Sequence, residues 1–333
     1  MKNLFLILAG ATFFFSSCNQ NNRPVDDGNK VPPQTEITLV KTPAFNADSA
    51  YSFIAKQVSF GPRIPNTPAQ NKCADWMVKK LKSYGCTVYE QNTQVKLYDG
   101  KIIPCRNVIG AINPNAAKRI LLCSHWDTRP WADQDSANPK TSFDGADDGA
   151  SGVGVLLEIA RQIQQDSSGI GVDLAFFDVE DYGPPYFEKI EEKDDMYCLG
   201  TQYWTKNPHV PGYQAYYGIL LDMVGAKGAT FYLEGTSMNF APGVMQTCWD
   251  VAAKLGYSSM FVKKQIQGII DDHLYVNRNN HTPTLDLIYM TPTTKTHFAP
   301  HWHTHDDNMK IIDKKTLKSV GDVLLQMIFR EPV

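Results

Sequence analysis

The sequence has few cysteines, no long apolar segment and no excess of either charge, and each absence excludes a class of protein. The seven cysteines include no C-x-x-C pair, which argues against a thiolate zinc site, and they are too sparse for a disulfide scaffold. No run reaches the ~18 apolar residues of a membrane-spanning helix. With 32 Lys+Arg against 35 Asp+Glu and a net charge of −3, we expect neither a nucleic-acid partner nor a disordered acidic chain.

The N-terminus resembles the signal of a bacterial lipoprotein. Lys2 precedes an apolar stretch over residues 4–15, and two serines and Cys18 follow it, an order typical of secretory signals. The resemblance implies removal of residues 1–17 and acylation of Cys18, and Asn19 favours the outer membrane. An ordinary signal peptide with an incidental cysteine is the alternative. We expect a periplasmic, lipid-anchored protein of a Gram-negative bacterium.

The remaining chain is predicted to form a tether and one domain. Residues 18–44 are interpreted as a lipidated flexible tether, because the segment after Cys18 is rich in Asn, Pro and Asp and has no apolar period. A prior of roughly 150 residues per domain would suggest two domains. No internal linker is recognisable, so we predict a single domain over residues 45–333.

Short apolar runs alternate with helical patterns in this domain. Runs without clean alternation suit strands buried on both faces, and they cover 119–125, 172–177, 218–223 and 284–289. Helical patterns cover 48–58, 69–84, 151–164, 199–206, 241–255 and 316–330. Asp99-Gly100 joins strand patterns 87–97 and 102–112 as a hairpin. The alternation predicts an α/β fold whose central, mostly parallel, twisted sheet is flanked by helices on both faces.

Histidines and carboxylates recur in several segments, most of them at the ends of the predicted strands or in the loops after them. They are His125, Asp127, Asp144, Asp147, Asp148, Glu180, Asp181, Asp222, Asp271, Asp272, His273, His301 and His303. Sites in open α/β sheets form at the carboxyl ends of strands. Imidazole and carboxylate groups without paired thiols suit zinc in a catalytic site with an open position.

Each of these groups has a structural interpretation when it is taken alone. The aspartates before the helix at residue 151 could cap it or face its dipole. Glu180 and Asp181 could lie in a solvated turn, and a lone histidine such as His303 is more often structural. Asp222 interrupts an apolar strand, where an unpaired charge is costly, so it needs a partner. Their joint placement at strand ends favours a metal site.

The order of these residues resembles that of the zinc aminopeptidase fold and, within it, the bacterial relatives of the animal-type (type II) glutaminyl cyclases. The similarity extends from about residue 45 to the C-terminus. The residues that carry it are Phe60-Gly61-Pro62-Arg63-Ile64-Pro65, His125-Trp126-Asp127, Gly145-Ala146-Asp147-Asp148-Gly149, Phe176 to Asp181, Leu221-Asp222, Asp271-Asp272-His273 and Trp302-His303-Thr304.

The resemblance implies one zinc ion per chain and the cyclisation of an N-terminal glutamine to pyroglutamate with loss of ammonia. The protein ligands would be Asp148, Asp181 and His303, although animal cyclases carry Glu where Asp181 stands. Zinc would act as a Lewis acid on the side-chain amide carbonyl. Glu180 would carry the proton from the attacking α-amine to the leaving nitrogen. The partners would be peptides or proteins that begin with glutamine.

The resemblance also implies a substrate pocket. Asp222 and Asp271 would complete an acidic, hydrogen-bonded pocket with catalytic roles, and Trp302 would be an apolar wall for the substrate. The loop 182–197 departs from the family pattern. Tyr197 would replace a substrate-facing tryptophan expected near its end.

Two other functions are considered. His125, Asp148 and Asp222 could hold a second zinc, with Asp148 bridging, as in an aminopeptidase that hydrolyses peptide bonds at a dinuclear site. A non-catalytic binding module on the same fold would be expected to lack ligands, whereas every ligand position is filled here. The Asp271-Asp272-His273 motif and Trp302 before His303 are cyclase-like and favour the cyclase.

Overall fold

The structure is a computed structural model that describes residues 37–165, 168–191 and 194–332. The predicted signal peptide and Cys18 lie outside the described residues. Residues 37–44 of the predicted tether are described and contact the C-terminal helix. The side-chain amide of Gln326 donates to the Val40 carbonyl at 2.7 Å and accepts from the Val40 N–H at 3.0 Å. This part of the predicted tether therefore packs on the domain.

Helices and strands follow the predicted alternation. The helices are α1 (Ala47–Val58), α2 (Pro68–Ser83), α3 (Ala150–Gln165), α4 (Leu199–Lys206), α5 (Gly235–Phe240), α6 (Pro242–Lys254), α7 (Asp272–Tyr275) and α8 (Lys314–Phe329), with a 3₁₀ turn at Asp194–Met196 and a π-helical turn at Val276–Asn280. The strands are β1 (Thr87–Lys96), β2 (Ile102–Ile112), β3 (Arg119–His125), β4 (Gly171–Phe177), β5 (Gly218–Asp222), β6 (Phe231–Leu233), β7 (Phe261–Gln265) and β8 (Thr284–Ile288). The predicted elements are confirmed, with small shifts at their ends. The short elements β6, β7, α5 and α7 were not predicted.

The central sheet has the strand order β1-β2-β4-β3-β5-β8. The β1–β2 and β2–β4 pairs are antiparallel, whereas β4–β3, β3–β5 and β5–β8 are parallel. The predicted mostly parallel sheet is therefore confirmed. Its register places His125 beside Phe177 and Asp222 beside Ile288. The carboxyl ends of β3, β4, β5 and β8 thus meet at one edge. The strands β6 and β7 form a separate parallel pair.

Side chains of the central strands pack into two different apolar layers. Ile120 and Leu122 of β3 belong to the large core, which includes α1, α2, α3, α6 and α8. Leu121 and Cys123 belong to a second core on the opposite face, with Trp204 of α4. Because consecutive strand residues point to opposite faces, this division shows that the sheet is covered on both sides, as the continuous apolar runs predict.

The described part of the chain contains no helix long and apolar enough to span a bilayer. Its cysteines are all buried and none is disulfide-bonded: Cys73, Cys86, Cys105, Cys123, Cys198 and Cys248. Cys123 packs as a small apolar residue in the second core.

Candidate active site

Three predicted ligands come together at the carboxyl edge of the sheet. Asp148 precedes α3, Asp181 follows β4, and His303 lies in the long loop between β8 and α8. One potential ligand atom from each lies within 4.8 Å of the other two, and all three residues are buried. His303 Nε2 is 3.1 Å from Asp181 Oδ2 and 3.6 Å from Asp148 Oδ2. We call these three residues the ligand cluster.

The chemistry of the ligand cluster fits a divalent cation. Within the described residues, Asp148 Oδ2 is buried and accepts no hydrogen bond, which is costly for a carboxylate unless a cation completes its shell. Burial raises the pKa of Asp181, so its charge also needs a partner. Burial alone would lower the pKa of His303, but Asp181 and Asp133 raise it to about 9, so this position attracts positive charge. Three N/O ligands beside a cavity are the usual protein contribution to a catalytic zinc site.

The turn that presents Asp148 is held by Arg63. This fully buried guanidinium donates to the carbonyls of Trp126 (3.3 Å), Asp144 (2.5 Å) and Gly145 (2.6 Å). Gly145 has φ of +59°, and a Cβ there would lie 3.0 Å from the Arg63 guanidinium. The arginine of the Phe-Gly-Pro-Arg motif and the glycine of the aspartate-rich turn therefore pack together and hold the backbone that presents Asp148.

Asp127 aligns the chain at Glu180 and Asp181. Its two carboxylate oxygens accept the N–H groups of Glu180 (3.1 Å) and Asp181 (3.3 Å). The preceding residue, Val179, has φ of +54°, a region that a β-branched residue rarely adopts. Its carbonyl accepts the N–H of Leu199 at 2.9 Å. Strain of this kind persists only where neighbouring contacts over-determine it, and it is common at functional sites.

Asp133 and Arg129 support the ligand cluster from behind, and sequence reasoning missed both. Asp133 Oδ1 lies 3.3 Å from His303 Nδ1, the ring nitrogen that faces away from Asp148 and Asp181. Arg129 donates to Asp133 at 3.0 and 2.7 Å and lies 3.3 Å from Asp181 Oδ1. Burial alone would raise the pKa of Asp133, but hydrogen bonds from His303 and Arg129 lower it well below its usual range. A carboxylate behind a ligating histidine orients the ring and increases its basicity.

Glu180 lies beside the ligand cluster without being part of it. Its half-buried side chain accepts a hydrogen bond from the Cys198 thiol at 3.2 Å. Potential ligand atoms of Glu180, Cys198 and Asp271 lie within 4.8 Å of one another. Burial, with the nearby Asp181, raises the pKa of Glu180 well above its ordinary value. A carboxyl group with a raised pKa can both accept and return a proton near neutral pH.

A second group of potential ligands shares Asp148. His125 Nε2 lies 3.1 Å from Asp148 Oδ1 and 3.2 Å from Asp222 Oδ1, so the partner that Asp222 requires is His125. These three residues could also surround a cation. Burial raises the pKa of Asp222 to about 7.

The predicted ligand, acid–base and substrate residues all line one cavity of about 500 Å³. They are Asp148, Glu180, Asp181, Tyr197, Asp222, Asp271, Trp302 and His303. The Trp302 ring stacks on the ring of His303, with 3.9 Å between centroids. Tyr197 packs over Gly183, where a Cβ would come within 2.0 Å of its ring. The absence of a side chain at Gly183 thus leaves the space that the Tyr197 ring occupies in the cavity wall.

A buried network lies behind Asp271. His273 is fully buried, and its Nε2 lies 3.2 Å from Glu234 Oε2. Glu234 also accepts the N–H groups of Thr236 (2.7 Å), Ser237 (2.6 Å) and Ile269 (2.8 Å). Burial would raise the pKa of Glu234, but His273 and the hydrogen bonds from Ser237 lower it to about 2. His273 therefore belongs to this support and lies outside the ligand cluster.

Other members of the predicted polar set support the loops. His301 Nε2 lies 2.8 Å from Asp147 Oδ2, and Asp147 Oδ1 accepts the Gly225 N–H at 2.6 Å. Asp307 accepts the N–H groups of Asp147 (2.7 Å) and Asp148 (3.2 Å). These contacts hold the aspartate-rich turn against the loop that carries His303.

This fold and cavity define an α/β enzyme, with histidine and carboxylate side chains at the carboxyl edge of its sheet that could hold a metal ion. Residues 107–328 match the family model of peptidase family M28, and the chain belongs to that family. The structure is similar to that of the Tannerella forsythia glutaminyl cyclase, with 50% identity, a TM-score of 0.85, and coverage of 87% of this chain and 100% of that one. It is equally similar to a Zn-dependent exopeptidase from Parabacteroides distasonis, with 49% identity, a TM-score of 0.85 and the same coverage of both chains.

More distant relatives include a glutaminyl-peptide cyclotransferase from Gloydius blomhoffii, which is 26% identical over 246 residues. The alignment covers 66% of this chain and 63% of that enzyme. This chain thus spans less than two thirds of that relative's length.

Proposed function

We propose that this protein is a zinc-dependent glutaminyl-peptide cyclotransferase, which converts an N-terminal glutamine to pyroglutamate and releases ammonia. The observation that carries the proposal is the position of Glu180, beside the ligand cluster and facing Asp271 in one cavity. The similarity to a glutaminyl cyclase over the whole length of that chain supports it. The substrate's α-amine is the nucleophile, so a site with no serine or cysteine nucleophile is sufficient.

One zinc ion would be held by Asp148, Asp181 and His303. When bound there, it supplies Lewis-acid activation of the side-chain amide carbonyl. Asp133 and Arg129 keep the His303 ring and the Asp181 carboxylate in place. The stacking of Trp302 on His303 gives the cavity an apolar wall directly beside the metal ligands.

Glu180 would serve as the proton carrier of the reaction. It takes a proton from the α-amine as the amine nitrogen forms a bond to the side-chain amide carbon. It returns that proton to the amide nitrogen, whose bond to carbon then breaks to release ammonia. The Cys198 thiol orients the Glu180 carboxyl group. Asp271 faces the same space and would stabilise the nitrogen as it becomes ammonia, and Asp222 would keep the position of Asp148 through His125.

Aminopeptidase activity is the second candidate, and one specific observation favours it. The cluster of His125, Asp148 and Asp222 could hold a second metal ion, which would give a two-metal hydrolytic site. A peptidase needs a water molecule as its nucleophile, whereas the cyclase does not.

Incubation with a glutaminyl dipeptide separates the two candidates. We expect release of ammonia, loss of the corresponding mass from the peptide, and one zinc per chain by elemental analysis. Two zinc ions per chain together with release of free amino acids, and no cyclised product, would show that the protein is a peptidase. Treatment with a chelator should abolish turnover in either case, and a binding module would be indifferent to it.

We also propose that the mature protein is anchored through Cys18 to the periplasmic side of the outer membrane, where proteins with N-terminal glutamine would be its substrates. The pattern of Lys2, apolar residues, small residues and Cys18 supports this. Labelled fatty acid should be incorporated into the wild type but not into Cys18→Ala. Equal labelling of both would refute the anchor.

A further inference from the structure

One surface cavity lies at the opposite edge of the sheet from the ligand cluster. Its volume is about 460 Å³, and its lining includes Tyr216, Phe240, Pro283 and Met327. Tyr216 and Pro283 precede β5 and β8, and the Tyr216 N–H donates to the carbonyl of Arg119, the first residue of β3, at 2.7 Å. Because β3, β5 and β8 run parallel, this is the amino edge of the sheet. We call this cavity the amino-edge groove.

The amino-edge groove presents aromatic side chains to solvent. Tyr216 is 64% exposed and Phe240 is 43% exposed. Among the described residues of the lining, Glu331 alone is charged, and it pairs with Lys118 at 2.8 Å. The Lys118 ammonium also lies 4.6 Å from the centre of the Tyr216 ring. Exposed aromatic rings beside a lysine are typical of surfaces that meet the boundary between lipid headgroups and hydrocarbon.

The first described residues of the chain lead to this same edge along α8. Phe45 packs on Gly321, where a Cβ would lie 2.2 Å from its ring. Earlier in the chain, Val40 is bonded through its backbone to the side chain of Gln326. The next residue of α8, Met327, lines the amino-edge groove. Followed backwards from residue 45, the chain therefore runs towards the C-terminal end of α8 and the amino edge.

The length of the chain before residue 37 limits which edge can face a membrane. Only residues 19–36 separate the proposed lipid anchor at Cys18 from Ile37, and a fully extended chain of that length spans at most about 65 Å. A domain of roughly 300 residues has a radius of about 25 Å, so the path over its surface to the opposite edge is roughly 75 Å. A lipid at Cys18 would therefore keep the amino edge near the membrane and the catalytic edge away from it.

The exposed apolar area at the groove suits a lipid surface better than a second copy of the chain. An aromatic side chain presents roughly 150–250 Å², so the exposed fractions of Tyr216 and Phe240 together amount to about 200 Å². A stable protein interface buries about 800 Å² on each partner. A tethered protein needs much less, because the anchor supplies a high effective concentration and the contact only has to orient the domain.

We propose that the amino-edge groove is the surface through which the anchored protein meets the lipid bilayer, with Tyr216 and Phe240 inserted at the level of the headgroups. The inference rests on the proposed lipid anchor and is independent of the cyclase chemistry. In this orientation the catalytic cavity, at the opposite edge of the sheet, opens away from the membrane. It is then accessible to the N-termini of proteins in the periplasm.

The test measures how the unacylated protein partitions onto vesicles of phosphatidylethanolamine with a minor fraction of phosphatidylglycerol, separated by flotation. The reference protein is the chain from residue 18 with Cys18→Ser, whose binding does not depend on acylation. We expect it to bind, and to remain bound at high salt because the contact is apolar. Tyr216→Ser and Phe240→Ser should each lower the partition coefficient roughly 5- to 10-fold, as expected for the loss of about 40–55 Å² of buried apolar area.

Ile102→Ser is the matched control. Ile102 is 65% exposed and begins β2, which is antiparallel to β4, so it lies at the carboxyl edge; its substitution should leave the partition coefficient unchanged. All variants should keep the melting temperature of the reference protein.

Three vesicle results would each overturn the proposal: no binding of the reference protein, loss of its binding at high salt, or an equal effect of Ile102→Ser. A dimer in lipid-free solution that Phe240→Ser dissociates would also overturn it, because the groove would then join two copies of the chain. Fatty-acid labelling of Cys18 tests the anchor separately, and ammonia release from a glutaminyl dipeptide tests the cyclase function. Failure of either is therefore distinguishable from failure of the membrane contact.

Discussion

The carboxylate behind the metal-facing histidine allows a quantitative test of the site. Asp133→Asn preserves the shape of the side chain but removes its charge. An amide places no negative charge beside His303 Nδ1, which lies 3.3 Å from Asp133 Oδ1, and its single oxygen cannot replace both carboxylate oxygens that accept from Arg129 at 3.0 and 2.7 Å. The loss of one hydrogen bond to a charged group costs about 1.5–3 kcal/mol. We therefore expect zinc affinity to fall by about 10- to 100-fold, the range found for partners of ligating histidines.

The assay is competition for zinc with a chromophoric chelator, combined with thermal unfolding of the zinc-free proteins. The matched control is Asp135→Asn. Asp135 pairs with His305 at 2.7 Å, but this carboxylate–imidazole pair lies near the surface and contacts none of the proposed ligands. The control should keep wild-type zinc affinity. Equal zinc affinity in wild type and Asp133→Asn, or an equal loss in both variants, would refute the role of Asp133.

Three further predictions follow from the same geometry. Glu180→Gln should lower kcat by roughly 10²- to 10⁴-fold and retain zinc, whereas Asp148→Ala should lose both; equal metal loss in the two variants would contradict the separate roles. The zinc-free protein should lose thermal stability as pH rises from about 4 to 8. Burial raises the pKa of Asp307 to about 8 and of Asp222 to about 7, so the folded state binds more protons than the unfolded state in this window. A melting temperature that stays level or rises from pH 4 to 8 would exclude this explanation. Glu234→Gln should raise KM more than it lowers kcat, because it weakens the acceptor that holds the Ile269 N–H in the cavity wall. A fall in kcat with an unchanged KM would argue for a different role of Glu234.

Local sequence patterns were sufficient for the main elements and for the residues at strand ends. Buried parallel strands must be continuous apolar runs, and polar residues that interrupt such runs or follow them lie at the sheet edge. Asp222 at the end of β5 and Asp181 after β4 were found in this way. The late His303 has no such strand to identify it, and it was placed through the family resemblance.

The supporting residues could not be found by the same reasoning. Asp133 and Arg129 lie in a loop without period or recognisable spacing, and Glu234 precedes a short helix, where a carboxylate is common as a cap. Arg63 was noticed as part of a motif, but its contacts with the carbonyls of the aspartate-rich turn join positions far apart in the chain. The elements around β6 and β7 were missed because segments of three to six residues carry too little pattern.

The sequence by itself determined the alternation of strands and helices and the kinds of ligand that meet at the sheet edge, because both follow from residue type and local order. Only the tertiary structure decided that Arg63 holds the turn that presents Asp148 and that Asp133 lies behind His303. It also decided that Tyr216 and Phe240 line one groove at the amino edge. These relations depend on distances between segments far apart in the chain, which packing sets and local pattern does not encode.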